Sequence, residues 1–430
     1  MLILVGTLGL KYLPGLYTGD PLNWLDAVFT STSAVCVTGL IIVDTATYFT
    51  MAGQAWILLL IQLGGLGMIA FTSIIIIALG RRLSLRQEAF STDMHEAAPR
   101  VDMRRLTLDI LRFTLSLELA GALALYILWI PRFGWIGAAW PAVFHSVSGF
   151  CNAGFSTFSD SLVGFQKAPA SLCVIMMLIV AGGIGFLTLE ELHLRYQAGR
   201  RNQIFRISLH SRLVVGTTIA LLGIGWLLFG VFEGGRTLGH LPVGHKVINA
   251  LFMSVTPRTA GFNTINYSEA SDSANFLTII LMMIGGSPGS TAGGIKTTTF
   301  ALIGLLAWSR LIGFETTIFA GRSIRKETTE RAIGVFVITA GLVTVGIFLL
   351  TVSEGHRGHF LSQMFEVTSA FNTVGLSMGE TPLLSPMGRA LSILLMYFGR
   401  VGPLTLASAI AIRQFGRSRF RYAYEDVVVG

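Results

Sequence analysis

Residues 144–155 read Phe-His-Ser-Val-Ser-Gly-Phe-Cys-Asn-Ala-Gly-Phe, a stretch that is too short and too polar to span a bilayer. Similar stretches recur at residues 29–40 (FTSTSAVCVTGL), 252–262 (FMSVTPRTAGF) and 365–376 (FEVTSAFNTVGL). In each of these Phe-to-Gly stretches a glycine follows the first Phe by ten residues, or by nine in the third; the glycines are Gly39, Gly154, Gly261 and Gly375. A long period repeated four times predicts a fold of four like units.

The composition is typical of a membrane protein. Of the 430 residues, 52% are hydrophobic and only 13% are charged, whereas soluble proteins carry about 25% charged residues. Long apolar runs lie at residues 55–79, 172–189, 276–284 and 391–398. These features predict a polytopic membrane protein. The sequence shows no nucleophile–base pair and no metal-binding constellation, so an enzyme is not expected.

The net charge of +8 follows the predicted topology. Most of the 31 Lys and Arg residues lie in four clusters, at residues 81–105, 195–212, 310–331 and 413–421. Because positive residues stay on the cytoplasmic side of a membrane, these clusters are predicted to face the cytoplasm, and the Phe-to-Gly stretches to be entered from outside. The basic charge therefore does not indicate a nucleic-acid partner.

Each repeat is predicted to contain two crossings with a short helix between them. The predicted first helices are 1–13, 106–130, 213–232 and 332–352; the second helices are 53–79, 170–193, 274–310 and 387–413; the short helices are 23–33, 140–148, 246–255 and 358–369. Eight crossings place both termini in the cytoplasm. Irregular backbone at membrane depth is tolerated only where it is buried in protein or lines a water-filled cavity. Four re-entrant segments arranged around one axis would meet this condition.

The predicted fold class is an all-α integral membrane protein in which four pseudo-symmetric repeats surround one central pore. Each repeat consists of a helix, a pore helix, a filter loop and a second helix. The predicted repeats are residues 1–100, 101–205, 206–325 and 326–430, the third with a broken second helix and the fourth with a cytoplasmic tail.

The Phe-to-Gly stretches have the chemistry of a cation filter. Rings of backbone carbonyl oxygens replace the hydration shell of an ion, glycine leaves no side chain in the way, and the end of a short helix contributes negative potential. Tight packing would explain one such stretch, but four copies at matched places favour a filter. The predicted filter residues are Val37, Thr38, Gly39, Asn152, Ala153, Gly154, Thr259, Ala260, Gly261, Thr373, Val374 and Gly375.

The second helix of the third repeat is predicted to be broken. Residues 285–294 contain five Gly and one Pro, which both disfavour a helix interior, and interrupted helices at the membrane midplane mark functional sites in transporters. A simple kink is the alternative. The segment comprises Gly285, Gly286, Ser287, Pro288, Gly289, Ser290, Thr291, Ala292, Gly293 and Gly294. For the glycine clusters at 64–67 and 182–185, close helix packing is the favoured interpretation.

Several motifs point to a known family. Thr373-Val374-Gly375-Leu376 resembles the filter of potassium channels, and the stretches at 152–155 and 259–262 resemble relaxed versions of it. Together with residues 284–297 (IGGSPGSTAGGIKT) and 398–405 (FGRVGPLT), the whole chain resembles the Trk/Ktr/HKT superfamily of cation transporters, most closely its KtrB type. The resemblance implies potassium as the substrate, sodium as an activator, no covalent cofactor and a location in the plasma membrane. Gly39 matches the potassium-selective members.

The resemblance also implies a gate and partners. In the family the segment at 285–294 lies under the filter and gates the pore, and Arg400 adds a barrier to cations beside it. Lys296 closes this segment, although snorkelling to the membrane interface explains its charge equally well. The implied partners are a second copy of the chain, membrane lipid and a cytoplasmic nucleotide-binding regulatory ring of KtrA-type subunits, contacted by residues 422–430 and the basic linkers.

A proton-coupled carrier of a small organic solute is the alternative function. Such carriers need titratable groups at the membrane midplane. No Asp or Glu lies at the centre of a predicted second helix, and the acidic residues near the pore, Asp26 and Glu366, are predicted to lie on the outer side. The sequence therefore favours the cation filter.

Overall fold

The computed structural model describes residues 1–78, 103–203, 205–355 and 359–402, with side chains described to residue 67 and again from residue 108. The described chain is predominantly helical, which confirms the predicted helical character. The exception among these residues is a small antiparallel hairpin of β1 (Ile318–Phe319) and β2 (Arg322–Ser323), which the all-α prediction did not include.

The first half of the chain contains seven helices. They are α1 (Leu2–Tyr12), α2 (Trp24–Val35), α3 (Thr45–Tyr48), α4 (Met51–Ala78), α5 (Met103–Cys151), α6 (Pro169–Ile184) and α7 (Phe186–Arg200). A short 3₁₀ turn, Val163–Phe165, precedes α6. α5 consists of two helices joined at Gly134, whose φ of +72° breaks the helical path. Its second part contains the short helix predicted at 140–148, and we use the predicted names, pore helix and repeat, for these elements below.

The described part of the second half also contains seven helices. Its helices are α8 (Leu209–Glu233), α9 (Val243–Val255), α10 (Asp272–Met283), α11 (Thr297–Leu311), α12 (Lys326–Glu354), α13 (Phe360–Phe371) and α14 (Pro386–Val401), with a 3₁₀ turn at Thr381–Leu383. α2, the second part of α5, α9 and α13 are thus the four short helices that lead into the filter segments.

The second helix of the second repeat is not continuous as predicted. α6 and α7 meet at an angle of 106°. The bend lies at Gly185, whose φ of +91° and ψ of +138° are accessible to glycine and strained for other residues. The uniformly apolar run over this region contains no sign of a bend, because hydropathy does not report backbone angles.

By length and apolarity, three described helices suffice to cross a membrane: the part of α5 over Leu108–Cys151, α8 and α12. The bent pair of α6 and α7 makes a fourth if it is counted as one span. The eight crossings remain a prediction. α1 has only 11 residues, and the second helix of the third repeat is interrupted between α10 and α11. α14 ends at Val401, and the described residues end at 402.

The pore helices pack against the first helices of their own repeats through small residues. The hydroxyl groups of Ser31, Ser146 and Ser254, each two residues after the Phe that opens its stretch, donate to backbone carbonyls of the first helix at 2.6 to 2.8 Å. Glycines lie opposite them, because a Cβ at Gly225 would overlap the Ser254 hydroxyl. The four opening Phe side chains, Phe29, Phe144, Phe252 and Phe365, are fully buried. The same contact recurs in three repeats and connects those three pore helices to their first helices.

Candidate filter and gating segment

The four predicted filter segments have the same backbone conformation. Their glycines have φ values of +93° (Gly39), +70° (Gly154), +80° (Gly261) and +92° (Gly375). Two residues earlier, Val37, Asn152, Thr259 and Thr373 also have positive φ, between +51° and +74°. Left-handed backbone is strained by about 1–3 kcal/mol at each of the β-branched residues Val37, Thr259 and Thr373, whereas asparagine adopts it more readily. Such strain, repeated at equivalent positions, indicates a shape that the surrounding structure imposes.

The four glycines form a closed ring. A Cβ built on Gly39 would lie 3.1 Å from Gly154 Cα, and one on Gly154 would lie 2.9 Å from Gly261 Cα. One on Gly261 would lie 3.3 Å from Gly375 Cα, and one on Gly375 would lie 3.0 Å from Gly39 Cα. Each segment therefore contacts the next, and a side chain at any of the four positions would collide with its neighbour. The structure brings together the four predicted glycines and the residues directly before them, Thr38, Ala153, Ala260 and Val374.

Hydroxyl groups at the ends of the pore helices hold the filter segments. Ser33 Oγ donates to Leu40 O (2.7 Å), Ser148 Oγ donates to Phe155 O (2.8 Å), and Thr256 Oγ1 donates to Phe262 O (2.5 Å). In the fourth repeat Ser369 Oγ accepts from Gly375 N (3.1 Å). All four residues lie four positions after the opening Phe. Sequence analysis missed them, although the recurrence of Ser or Thr at this position was a readable signal.

Several buried oxygen atoms of the filter segments have no hydrogen-bond partner among the described residues. They include Thr38 Oγ1, Thr259 Oγ1 and Thr373 Oγ1, each in a filter segment. Asn372 Oδ1, on the residue directly before Thr373, is a fourth. Unpaired buried oxygens are costly and rare. Their concentration at the ring fits a site that supplies oxygen ligands to a cation, which is the substrate in such a site and not a resident cofactor.

The predicted break in the third repeat lies between α10, which ends at Met283, and α11, which begins at Thr297. We call residues 284–296 the crossing segment. Its ends are joined by hydrogen bonds from Gly285 N to Ile295 O (2.9 Å) and from Thr297 N to Gly286 O (3.1 Å). The Ser287 and Thr297 hydroxyls lie 2.9 Å apart. The segment is thus a closed loop with its own internal bonds, and not a simple kink.

The glycine cluster of α6 holds one side of the crossing segment. Gly183 O accepts from Ser287 N (2.9 Å), and Gly182 O accepts from Thr291 N (3.2 Å). Beyond the bend, Phe186 N donates to Gly289 O (3.0 Å). Packing explains only part of this cluster, because it also supplies the carbonyls that bind the loop. At Gly64 the packing interpretation agrees with the contacts, since a Cβ there would overlap Val35 O at the end of α2.

The crossing segment also contacts two opposite filter segments. Its Thr291 Oγ1 lies 3.1 Å from the Asn152 side-chain amide. At its other end a Cβ on Gly293 would overlap Thr373 Oγ1. Asn152 and Thr373 occupy the same position, two residues before the filter glycine, in the second and fourth repeats. The segment therefore reaches from one side of the ring to the other, at the end of the filter that lies next to the pore helices.

The two predicted cations lie at the crossing segment. Arg400 is 6% exposed; its Nη1 donates to Thr291 O, and its Nη2 donates to Gly64 O at 3.4 Å. It thereby connects the segment to α4 of the first repeat. Lys296 Nζ donates to Ala292 O at 2.6 Å and so bonds within the segment. This contact gives Lys296 a structural partner at the loop, in addition to any snorkelling.

Of the outward acidic residues, Asp26 is an ion-pair partner. Its Oδ1 lies 2.7 Å from Arg389 Nη1, which connects the first pore helix to the start of α14. Glu366 accepts hydrogen bonds from Ser377, Met378 and Thr381, which follow Gly375 in the chain. Both carboxylates are therefore bonded within the protein.

Other predictions concern residues outside the described ranges. These are the repeat boundary at residue 100, the basic residues at 81–102 and 413–421, residues 403–405 of the last family motif and the tail at 422–430. The repeat boundaries, the second copy of the chain and the regulatory ring stay predictions.

Comparisons with known proteins agree with the geometry. A family profile described as "TrkH: Cation transport protein" matches residues 7–416. The chain is 38% identical over 415 residues to Ktr system potassium uptake protein B of Bacillus subtilis, covering 96% of this chain and 91% of the relative. It is 37% identical over 417 residues to Potassium/sodium uptake protein NtpJ of Enterococcus hirae, with coverage of 96% and 91%.

A solved structure shows the same fold. The crystal structure of the potassium transporter TrkH from Vibrio parahaemolyticus superposes with a TM-score of 0.76 at 21% identity, covering 97% of this chain and 83% of that one. The resemblance inferred from the filter and loop motifs is thereby confirmed. The chain belongs to the TrkH family of cation transport proteins and is a membrane transporter rather than an enzyme.

Proposed function

We propose that this protein takes up potassium ions across the plasma membrane through a filter made by its four Phe-to-Gly stretches. The observation that carries the proposal is the closed ring of Gly39, Gly154, Gly261 and Gly375. Unpaired oxygens at Thr38, Thr259 and Thr373 support it, because a dehydrated cation needs oxygen ligands. The four repeats surround one pore, with both termini in the cytoplasm.

Potassium is the favoured ion. One relative is named as a potassium uptake protein and the other as a potassium/sodium uptake protein. In this chain all four filter segments contain glycine, so each of the four can direct its backbone carbonyls toward the axis without interference from a side chain. Sodium then acts as an activator rather than as the main substrate.

The crossing segment is the gate. It contacts Asn152 and Thr373 on opposite sides of the ring, and Arg400 ties it to α4. A loop in this place obstructs the path below the filter, and the guanidinium charge disfavours a cation there. Its bonds to Gly182 and Gly183 are few and local, so a modest change in the position of α6 would release it.

Potassium flux into liposomes tests the filter. Gly261→Asp places a side chain where its Cβ would lie 2.9 Å from Gly154 Cα, so flux should fall to the level of empty liposomes. Gly15→Asp is the matched control, because Gly15 has a similar φ of +74° and no neighbouring atom within 4 Å. Equal flux in the Gly261 variant and the wild type would refute the filter assignment.

Regulation through a partner is the finer part of the proposal. A homodimer that binds a cytoplasmic nucleotide-binding ring through the basic linkers and tail would couple nucleotide state to the crossing segment. The test is flux by the reconstituted protein with and without a purified regulatory subunit, at several sodium and nucleotide concentrations. Flux that never responds to subunit, sodium or nucleotide would contradict this part and leave the filter intact.

One observation favours a second candidate, a proton-coupled carrier of a small organic solute. Glu118 is buried within α5, where its carboxylate accepts from Gln62 Nε2 at 3.0 Å. An intramembrane carboxylate is a candidate proton site. Solute uptake that a pH gradient drives, and that Glu118→Gln abolishes, would support the carrier. Potassium flux without a pH gradient, unchanged by the same substitution, would exclude it.

A further inference from the structure

Two opposite repeats hold the outer end of the filter in a way that the other two do not. In the second and fourth repeats a serine lies two residues after the filter glycine, at Ser156 and Ser377. In the same repeats the residue directly after the opening Phe is polar and titratable, at His145 and Glu366. We call each His–Ser or Glu–Ser pair a filter tether.

The tether of the fourth repeat is centred on the buried Glu366. Its Oε1 accepts from Ser377 Oγ (2.5 Å) and from Met378 N (3.1 Å), and its Oε2 accepts from Thr381 Oγ1 (2.5 Å). Ser377 Oγ in turn accepts from Gly379 N (2.9 Å). One carboxylate of the pore helix therefore fixes five residues of chain that follow the filter.

The tether of the second repeat has the same connections with a different acid–base group. His145 Nδ1 donates to Pro141 O (2.8 Å), since a carbonyl only accepts, which leaves Nε2 to bond Ser156 Oγ (2.9 Å). Ser156 Oγ accepts from Phe158 N (2.9 Å), the counterpart of the Ser377–Gly379 bond. His145 is fully buried and stacks on the Phe158 ring with centroids 4.8 Å apart.

The first and third repeats have no such pair at these positions. Thr30 and Met253 follow their opening Phe residues, and Ile41 and Asn263 follow their filter glycines. Their outer segments are bonded instead to the loop of the second repeat. Ser159 Oγ donates to Asp44 Oδ2 (2.6 Å), and Ser161 Oγ accepts from Asn263 N (3.2 Å). The outer end of the ring is thus held by two internal tethers and by hydrogen bonds between repeats.

We propose that Glu366 and His145 are positioning residues that set the width of the outer end of the filter through Ser377 and Ser156, and thereby its preference for potassium over sodium. This inference rests on the proposed cation filter. Neither side chain touches the ring glycines themselves; each acts through a serine on the chain that leaves the filter. Discrimination between two alkali cations depends on how closely carbonyl oxygens are held, so a loosened outer segment admits the smaller ion more easily.

The effect of losing a tether follows from the bonds it contains. A hydrogen bond to a charged group is stronger than one between neutral groups. Ser377→Ala removes the hydroxyl bond to Glu366 Oε1, and Ser156→Ala removes the bond to His145 Nε2. Each should lower the potassium-to-sodium permeability ratio, by about tenfold for Ser377→Ala and about fivefold for Ser156→Ala.

The test measures potassium and sodium fluxes of reconstituted variants, together with thermal unfolding in detergent. Ser271→Ala is the matched control. Its hydroxyl donates to the buried Glu233 carboxylate at 2.6 Å, the same chemistry at the start of α10 and away from the ring. Ser271→Ala should lower thermal stability without changing the permeability ratio. Ser377→Thr keeps a hydroxyl at the tether and should recover most of the wild-type ratio.

The outcomes separate this proposal from the one it rests on. One outcome is that the wild type conducts potassium while both Ser377→Ala and Ser156→Ala keep its permeability ratio. That result would refute the role of the tethers in selectivity and would leave the filter assignment unaffected. Absence of any selective cation flux in the wild type would overturn the filter itself. If Ser377→Ala does not fold, Ser156→Ala and Ser377→Thr still decide: an unchanged ratio in Ser156→Ala then counts against the proposal.

Discussion

Replacing Arg400 should open the proposed gate. Arg400→Met removes the guanidinium that donates to Thr291 O in the crossing segment and to Gly64 O in α4. The segment then keeps its bonds to α6 but loses its connection to the first repeat. It also loses the positive charge beneath the filter. Both changes act in the same direction, toward faster passage of potassium.

The size of the effect can be worked from these bonds. A hydrogen bond from a charged donor contributes about 1.5–3 kcal/mol, and the bond to Gly64 O, at 3.4 Å, is at the weak end. If the bond to Thr291 O contributes about 1.5 kcal/mol, its loss shifts the equilibrium between the closed and open positions of the crossing segment by roughly tenfold toward the open one. Potassium flux at a fixed gradient should therefore rise about tenfold if the segment limits passage.

Arg400→Lys separates the bonds from the charge. Lysine keeps the positive charge but cannot bridge two carbonyls with a planar fork. If anchoring of the segment dominates, Arg400→Lys should resemble Arg400→Met; if the charge barrier dominates, it should resemble the wild type. Arg310→Met, which removes an exposed arginine at the end of α11, is the control and should leave flux unchanged. Flux in Arg400→Met equal to the wild type would refute both roles.

Three further changes test the supports of the filter and loop. Gly185→Val should destabilise the protein by about 3 kcal/mol in thermal unfolding. The φ of +91° is strained for valine, and a Cβ there would lie 2.6 Å from Pro288 O. Gly199→Val, in open space on α7, is the control. Ser148→Ala removes the bond to Phe155 O and should lower the potassium-to-sodium ratio by about fivefold, measured by paired fluxes. Asp26→Asn leaves Arg389 without its ion-pair partner and should cost about 1–3 kcal/mol of stability, whereas Lys326→Met, at an exposed pair, should cost little.

The meeting of the four glycines was predictable from the sequence because the physical requirement of the proposed filter is local. A segment that must present carbonyls and exclude side chains needs glycine at a fixed place, and four copies of that requirement leave a period that can be read directly. The four glycines, spread over residues 39–375, do form one ring. The break at 284–296 was predictable for a similar reason, since five glycines and a proline do not continue a helix.

The bend at Gly185 and the binding of the loop to α6 were not predictable in the same way. Both depend on which carbonyls become available when a helix turns through 106°, and no composition or spacing encodes that angle. The glycines at 182 and 183 read as packing residues because small side chains serve packing and backbone bonding equally well. Only the contacts to Ser287 and Thr291 distinguish the two uses.

The hydroxyl residues show a different limit. Ser33, Ser148, Thr256 and Ser369 recur as regularly as the glycines, yet Ser and Thr are common at helix ends for reasons of capping alone. Their recurrence becomes informative only with the bonds to Leu40 O, Phe155 O and Phe262 O in view. Fourfold sequence recurrence therefore locates a site more reliably than it assigns a role to each residue in it.

Two departures from fourfold symmetry, one on each side of the ring, involve the same pair of repeats. Below the ring the crossing segment contacts Asn152 and Thr373, in the second and fourth repeats. Above the ring the tethers of His145 and Glu366 hold those same two repeats. A movement of the crossing segment would therefore pull on the two filter segments whose outer ends are fixed to their own pore helices. If the crossing segment is the gate, as we propose, the tethers resist the displacement that it causes, and opening changes access to the proposed filter while the outer carbonyl ring keeps its dimensions.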